Sequence, residues 1–420
     1  MTVTFNEALK VWARIGCLSF GGPAGQIALM HREIVDDRKW LSEKEYLSAL
    51  NFCMLLPGPE AMQLATYAGW KLHGVRGGLA AGLLFVLPGA AVVLALTMLY
   101  ASFGKLPLVD AIFYGIKAAV LAIVIEALLR VAKRALKTNA DWVIAALAFL
   151  ALYCFALPFP IVIIAAAIIG FIRGSGIKEE HTGELPTLSV LGKTVGIWAA
   201  LWLVPLAALA ILLGPHHVLT EVGVFFSKLA VVTFGGAYAV LTYMAQAAVE
   251  QKGWLAAPEM IDGLALAETT PGPLILVTEF VGYHAALRGM GSIWGGIAGA
   301  AVTLWMTFAP CFLWIFAGAP YIEAIGKRPR LAGALAAITA AVVGVILNLS
   351  VWFGLHVLFG KVERIDGGWF RPWVPDWMQL DWFALALSLI AALTLLRFHL
   401  GIIKTLAICA VLGAAWRLLA

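Results

Sequence analysis

The chain has 420 residues, 62% of them hydrophobic and 13% charged, with a formal net charge of +5 and a mean hydropathy of +0.93. Soluble domains carry roughly a quarter charged residues, so these figures exclude a soluble enzyme and give no support to nucleic acid as a partner; the partner they demand is the lipid bilayer. The apolar runs are about 20 residues or longer, the length of a spanning helix, whereas barrel strands would alternate polar and apolar over about ten. The fold class expected is an all-α polytopic membrane protein.

Taken in chain order, "MTVTFNEALKVWARIG" lacks a compact apolar core followed by a small-residue cleavage site, so the first helix is expected to stay. Hydrophobic segments are predicted at 5–34, 44–70, 77–103, 110–132, 141–157, 159–173, 190–213, 219–248, 259–284, 291–319, 331–357, 381–396 and 400–417, about 13 transmembrane segments in all. The polar stretch Arg173 to Ser189 reads as a linker, giving an N-terminal repeat at 1–173, a cytoplasmic linker at 174–189 and a C-terminal repeat at 190–420. A second polar stretch, Lys361 to Trp382, mixes acids with tryptophans as an interfacial loop would. Cys17, Cys53, Cys154, Cys311 and Cys409 all fall in apolar segments and read as small buried hydrophobes, with no disulfide or metal spacing. No metal or other cofactor is expected.

Lys and Arg collect in short loops. The two densest clusters, Arg130 to Lys137 and Lys327 to Arg330, are expected to be cytoplasmic. With an odd number of crossings the N-terminus is then cytoplasmic, the linker inside, the tryptophan-rich loop outside and the C-terminus periplasmic or extracellular.

The chain repeats itself. A shift of 214 residues aligns Phe20-Gly21-Gly22 with Phe234-Gly235-Gly236, Trp40-Leu41 with Trp254-Leu255, and Pro57-Gly58-Pro59 with Pro271-Gly272-Pro273. Twelve of the forty columns from Phe20 to Pro59 are identical, where composition alone would give roughly three or four. Arg14 pairs with Lys228 and Ser19 with Thr233 in the same register. Each copy therefore has a glycine break in its first segment and a Pro-Gly-Pro break in its second, which predicts discontinuous helices, half-helices joined by unwound backbone. Such backbone is tolerated in hydrocarbon only where it is buried in protein or lines a polar cavity. Five segments between the copies make them inverted-topology repeats, an arrangement of secondary transporters with a site at the midplane.

Half-helix N-termini present amides and a positive dipole end, which favour an anion. Half-helices starting at Pro23, Pro59 and Pro273 are the candidates, with Arg14 and Lys228 adding charge. Ser19, Gln26, Asn51, Gln63, Thr233, Tyr238, Thr269 and Thr270 add hydrogen-bonding groups. The break residues Gly21, Gly22, Pro57, Gly58, Gly235, Gly236, Pro271 and Gly272 complete the candidate substrate site. Other readings stand beside this one. Glycines and prolines also serve packing and kinks in membrane helices, and Arg14 and Lys228 are near enough to segment ends to snorkel. Glu60, Glu126, Glu268 and Glu279 are acids in apolar segments and so candidates for a coupling proton, although Glu126 has Arg130 one turn away. Glu60, directly after the first Pro-Gly-Pro, is compatible with repelling the anion, titrating with it, or pairing with a cation such as Arg14. No nucleotide loop, nucleophile-and-base pair or haem-type ligand pair appears, so an enzyme is not expected.

"SFGGPAGQIALMHREIVDDRKWLSEKEYLSALNFCMLLPGPEAMQLATYAGW", Ser19 to Trp70, closely resembles the N-terminal domain of the chromate ion transporter family, and "TFGGAYAVLTYMAQ…GWL…ETTPGPLILVTEFVGY" its C-terminal domain. The resemblance implies a long two-domain member that exports chromate across the bacterial inner membrane and confers resistance. It also implies sulfate as a chemically similar competitor and drive by the proton motive force. A homodimer is among the expected assemblies. The copies differ where Pro23 meets Ala237 and Leu55-Leu56 meet Thr269-Thr270, so contacts to an anion are expected to be asymmetric. A sulfate transporter and a passive anion channel share the same sequence features.

Overall fold

The computed structural model describes residues 3–20, 22–54, 56–174, 188–234, 237–321, 329–365 and 367–419. These hold sixteen α-helices: α1 Phe5–Leu18, α2 Gly22–His31, α3 Glu43–Cys53, α4 Glu60–Phe103, α5 Pro107–Ala135, α6 Asn139–Tyr153, α7 Phe159–Arg173, α8 Leu188–Leu212, α9 Val218–Val232, α10 Ala237–Gln246, α11 Ala257–Thr269, α12 Val277–Met290, α13 Ile293–Gly318, α14 Pro329–Leu358, α15 Trp382–Ala392 and α16 Ile402–Leu419. Sequence signals set many of the starts. Thr4 accepts from the Glu7 amide at α1, Ser42 and Glu45 form a reciprocal capping box at α3, and Ser292 accepts from Gly295 at α13. The only strands among the described residues are the short antiparallel pair β1 Val362–Arg364 and β2 Trp373–Pro375.

Among the described residues six helices are long and apolar enough to cross a membrane, and three stretches, 139–153, 159–173 and 382–397, are shorter and apolar. Several core-type residues face outward along them, including Ile211 and Leu212 of α8 and Trp294 of α13, as a lipid-facing surface requires. The all-α membrane class is therefore observed, but the thirteen expected segments are not. Part of the difference comes from the two broken segments of the first copy, which double back.

The chain divides into two compact units. The first comprises Met1–Thr97, Ile177–Val240 and Thr270–Pro329. Within it Arg14 Nε lies 3.6 Å from Glu33 Oε1, although nineteen residues of straight helix would separate them by about 28 Å. Lys71 Nζ likewise lies 3.5 Å from Glu45 Oε1, where a straight run would span about 39 Å. So α1–α2 and α3 with the first leg of α4 are helical hairpins, with their breaks at the tips. A third reversal falls inside α4 at His73 and Gly74, where Gly74 takes φ +61°. There Gly69 and Gly77 let the two legs touch backbone to backbone, and a Cβ on Gly82 would lie 2.5 Å from Thr66 Oγ1. The same small-residue contact recurs between α12 and α13 at Gly282 and Gly299, the close approach that glycine permits between membrane helices.

The second unit comprises Met98–Gly176, Leu241–Thr269 and Arg330–Ala420. Here α5 packs closely on α16 through Gly115 and Gly413, and α7 meets α14 through Gly170 and Gly333. The two-strand ribbon is tied down by Tyr153, which donates to the Trp373 carbonyl at 2.7 Å, and by Arg364, 2.5 Å from Glu250.

Candidate functional site

In the first unit the breaks of the two repeats meet. α1 ends at Ser19 with φ −75° and ψ 66°, and α9 ends at Thr233 with φ −76° and ψ 70°. Ser19 Oγ donates to Ile15 O at 2.6 Å and Thr233 Oγ1 to Leu229 O at 2.5 Å. Both hydroxyls thus bond back to their own helix, while both main-chain carbonyls turn out of it.

Those carbonyls take the amides of the Pro-Gly-Pro tips. Gly58 N–H donates to Thr233 O at 2.8 Å, and Gly272 N–H donates to Ser19 O at 2.9 Å. The pairing is reciprocal, each copy's Pro-Gly-Pro closing on the other copy's first break. It also accounts for the triplet. Proline has no amide, so the central glycine holds the one N–H of the three, and that N–H is bonded across the repeat; no donor of the triplet is left bare. Gly58 at φ +120° and Gly272 at φ +94° lie where an L side chain is strained.

Two glutamines, 1% and 0% exposed, brace the tips. Gln26 Nε2 donates to Gly272 O at 2.6 Å and, more weakly, to Ser19 O at 3.4 Å, and Gln63 Nε2 donates to Pro57 O at 2.7 Å. The Oε1 atom of each is buried with no hydrogen-bond partner among the described residues. The second copy has Val240 and Val277 in these places, so the two glutamines have no counterpart in it. The helical bonding of α4 begins at the first tip, where Gln63 N–H donates to Pro59 O at 3.1 Å.

Around the tips, Ser19, Thr233, Gln26, Gln63, Pro57, Gly58, Pro59, Gly272 and Pro273 are buried, and Thr270 is 5% exposed. Pro271, Gly22 and Pro23 are partly exposed. Asn51 on α3 and Lys228 on α9 are exposed, and Arg14 reaches Glu33, which Arg38 also contacts at 2.5 Å. Thr269 belongs to the second unit and bonds back to Leu266 O at 2.8 Å. Gly21, Gly235, Gly236 and the side chain of Tyr238 lie outside the described residues. Of the acids, Glu126 pairs with Arg130, Glu60 is partly exposed, Glu268 is 7% exposed, and Glu279 is 1% exposed with Oε2 lacking a hydrogen-bond partner among the described residues.

Two features escaped the sequence reading. Gly89 of α4 packs directly on Pro271, Gly272 and Leu276, and nothing in a glycine inside an apolar run distinguishes it from its neighbours. Lys117 and Asp262 pair inside the second unit at 3.1 Å; a charge within an apolar segment, the signal that picked out Glu268 and Glu279, marks Asp262 too.

The chromate transporter family profile matches residues 7–171 and 220–414. A chromate transport protein of Pseudomonas aeruginosa is 33% identical over 354 residues, 82% of this chain and 80% of that one. One of Cupriavidus metallidurans is 30% identical over 367 residues, 87% and 85% of the two chains. A probable chromate transport protein of Synechococcus elongatus is 29% identical over 355 residues, 84% and 86%. No solved structure matches the chain. A profile that covers both halves, together with these relatives, shows that the chain belongs to the chromate transporter family.

Proposed function

We propose that the protein exports chromate across the bacterial inner membrane by alternating access, with a pair of inverted repeats rocking about the four helix breaks. The observation that carries this reading is the reciprocal pairing of Gly58 with Thr233 and Gly272 with Ser19. A symmetric pair of bonds between copies can open one at a time, and each opening hands a glycine amide, beside first-turn amides and a glutamine, to a tetrahedral dianion. Ser19, Gln26, Gln63, Thr233 and the two Pro-Gly-Pro tips are the inner shell of that site, with Arg14 and Lys228 as the charges that draw the anion toward it. Sulfate, with nearly the same charge, shape and acceptor set, is the expected competitor.

The hairpins simplify the topology. If they and the corresponding segments of the second copy, α9 to α12, enter and leave on one side, crossings are made by the second leg of α4, then α5, α6, α7, α8, α13, α14, α15 and α16. Five of these separate the first break from its copy, which inverts the copy. The same count leaves Arg130 to Lys137, the linker and Lys327 to Arg330 on the inside and the C-terminus outside, in keeping with the positive-inside rule. A dianion leaving a negative-inside cell is favoured by about 4.6 kcal/mol per 100 mV, so the membrane potential already drives export and a coupled proton adds to it.

Chromate accumulation in cells tests the direction. Cells expressing the protein should hold less chromate than cells with an empty vector and tolerate more of it. Higher intracellular chromate would make the protein an importer and overturn the proposal.

A further inference from the structure

The second unit holds a buried charge pair that the tips do not use. Lys117 on α5 lies 3.1 Å from Asp262 Oδ1 on α11, with the two side chains 18% and 7% exposed. Tyr100, at the end of α4, donates its hydroxyl to Asp262 Oδ2 at 2.7 Å, and its ring meets Phe113 edge-on at 5.3 Å. Among the described residues Lys117 is the only lysine that is not exposed. Charges inside apolar helices are costly and are kept where they move ions or protons.

We propose that Asp262 is the protein's exchangeable-proton site, with Lys117 as its counter-ion and Tyr100 as the donor that orients it. The inference rests on the transport reading above. In the exchange the Asp262 carboxylate takes one proton from water and becomes a neutral acid. Lys117 keeps its own proton and loses its counter-ion, and the Tyr100 hydroxyl stays protonated. Deprotonation returns that same proton to water and restores the pair, so no other reactant is needed. The groups that bear on Asp262 are Lys117 and Asp110 of α5 and Tyr100 of α4. Glu259 lies one turn away on α11 itself, and on α16 Lys404 and Arg417 are exposed while Cys409 is buried. The aligned position in the first repeat is Ser48, so a single acid serves both copies.

Purified protein in liposomes carrying an internal pH dye, with chromate counterflow measured in parallel, separates the two levels of the argument. Wild-type protein should move protons together with chromate. In Asp262→Asn the proton signal should fall by about tenfold or more while counterflow stays within about threefold of wild type, since the loss of one titrating group removes coupling and not the anion path. Because the single variant strands Lys117, the paired Asp262→Asn/Lys117→Gln protein, which leaves no lone charge, should show the same split, and Asp262→Glu should restore proton movement. An unchanged proton signal in both neutral variants, loss of counterflow and proton signal together in both, or chromate movement without protons in the wild type overturns the proposal. The last of these leaves the transport reading standing, whereas no counterflow by the wild type would bring down that reading and this inference with it.

Discussion

Replacing Gly89 with alanine sets helix propensity against packing. In an ordinary helix interior the change gains up to about 1 kcal/mol. Here the new Cβ would press on the Pro271 carbonyl oxygen and lie 2.8 Å from Leu276 Cδ1 and 2.9 Å from Gly272 Cα. Carbon atoms pack best at about 3.5–4.0 Å, so the overlap approaches an ångström on two carbons, with a backbone oxygen crowded as well. Overpacking of this kind costs about 1–3 kcal/mol. The tip that must yield is held by the Gly272–Ser19 bond, worth about a further 1 kcal/mol if it breaks. Gly89→Ala should therefore be destabilised by about 1–3 kcal/mol net of the helix gain. The comparison is Gly196→Ala on α8, where an added Cβ has nothing within 4 Å and the change should be neutral or stabilising. Thermal unfolding of both purified proteins, beside chromate flux, reads the difference. A Gly89→Ala protein that unfolds at or above the wild-type temperature with full flux would show that α4 does not bear on the tip.

Gln26→Leu should cost about 1–3 kcal/mol by stripping the Gly272 carbonyl of the Gln26 donor, read as a lowered unfolding midpoint; an unchanged midpoint removes Gln26 from the tip. Glu33, 3% exposed between Arg14 and Arg38, should on change to Gln lower stability by about 2 kcal/mol, less than a fully buried pair because both arginines stay partly solvated. A loss under about 0.5 kcal/mol, the level of a surface pair, would contradict that. At the charged end of α2, hydrogen bonds to Glu43 and then Asp36 raise the His31 pKa above its ordinary 6.5. Because the folded value is the higher one, the added stability is fully present below the unfolded pKa and fades as pH rises through the folded value. Amide exchange across 31–46 should accordingly be slower at pH 6 than at pH 8 after correction for intrinsic rates, and His31→Gln should erase the difference; equal protection at both pH values in the wild type would refute it.

Much of the centre was legible because duplication writes the same device twice. The 214-residue register that pairs Ser19 with Thr233 and Gly58 with Gly272 names the four residues whose main chains bond across the repeat. What the register cannot carry is direction. A glycine or proline break marks where a helix stops without saying whether the chain continues or turns back, and only contacts such as Arg14 with Glu33 and Lys71 with Glu45 show the reversals. The same limit explains the expectation that the Pro-Gly-Pro amides are free for an anion. In this structure they are bonded to carbonyls of the other copy, and which partner each amide meets is a matter of packing that no local pattern records. Lys117 and Asp262, 145 residues apart in the numbering, are invisible as a pair for the same reason.

Chromate counterflow by the purified protein in liposomes bears most directly on the central claim. Exchange of labelled for unlabelled chromate should be saturable, competed by sulfate and lost in Gln26→Leu/Gln63→Leu protein that remains folded. Linear, non-saturating flux of a channel type, no flux at all, or saturable flux indifferent to both glutamines would contradict it.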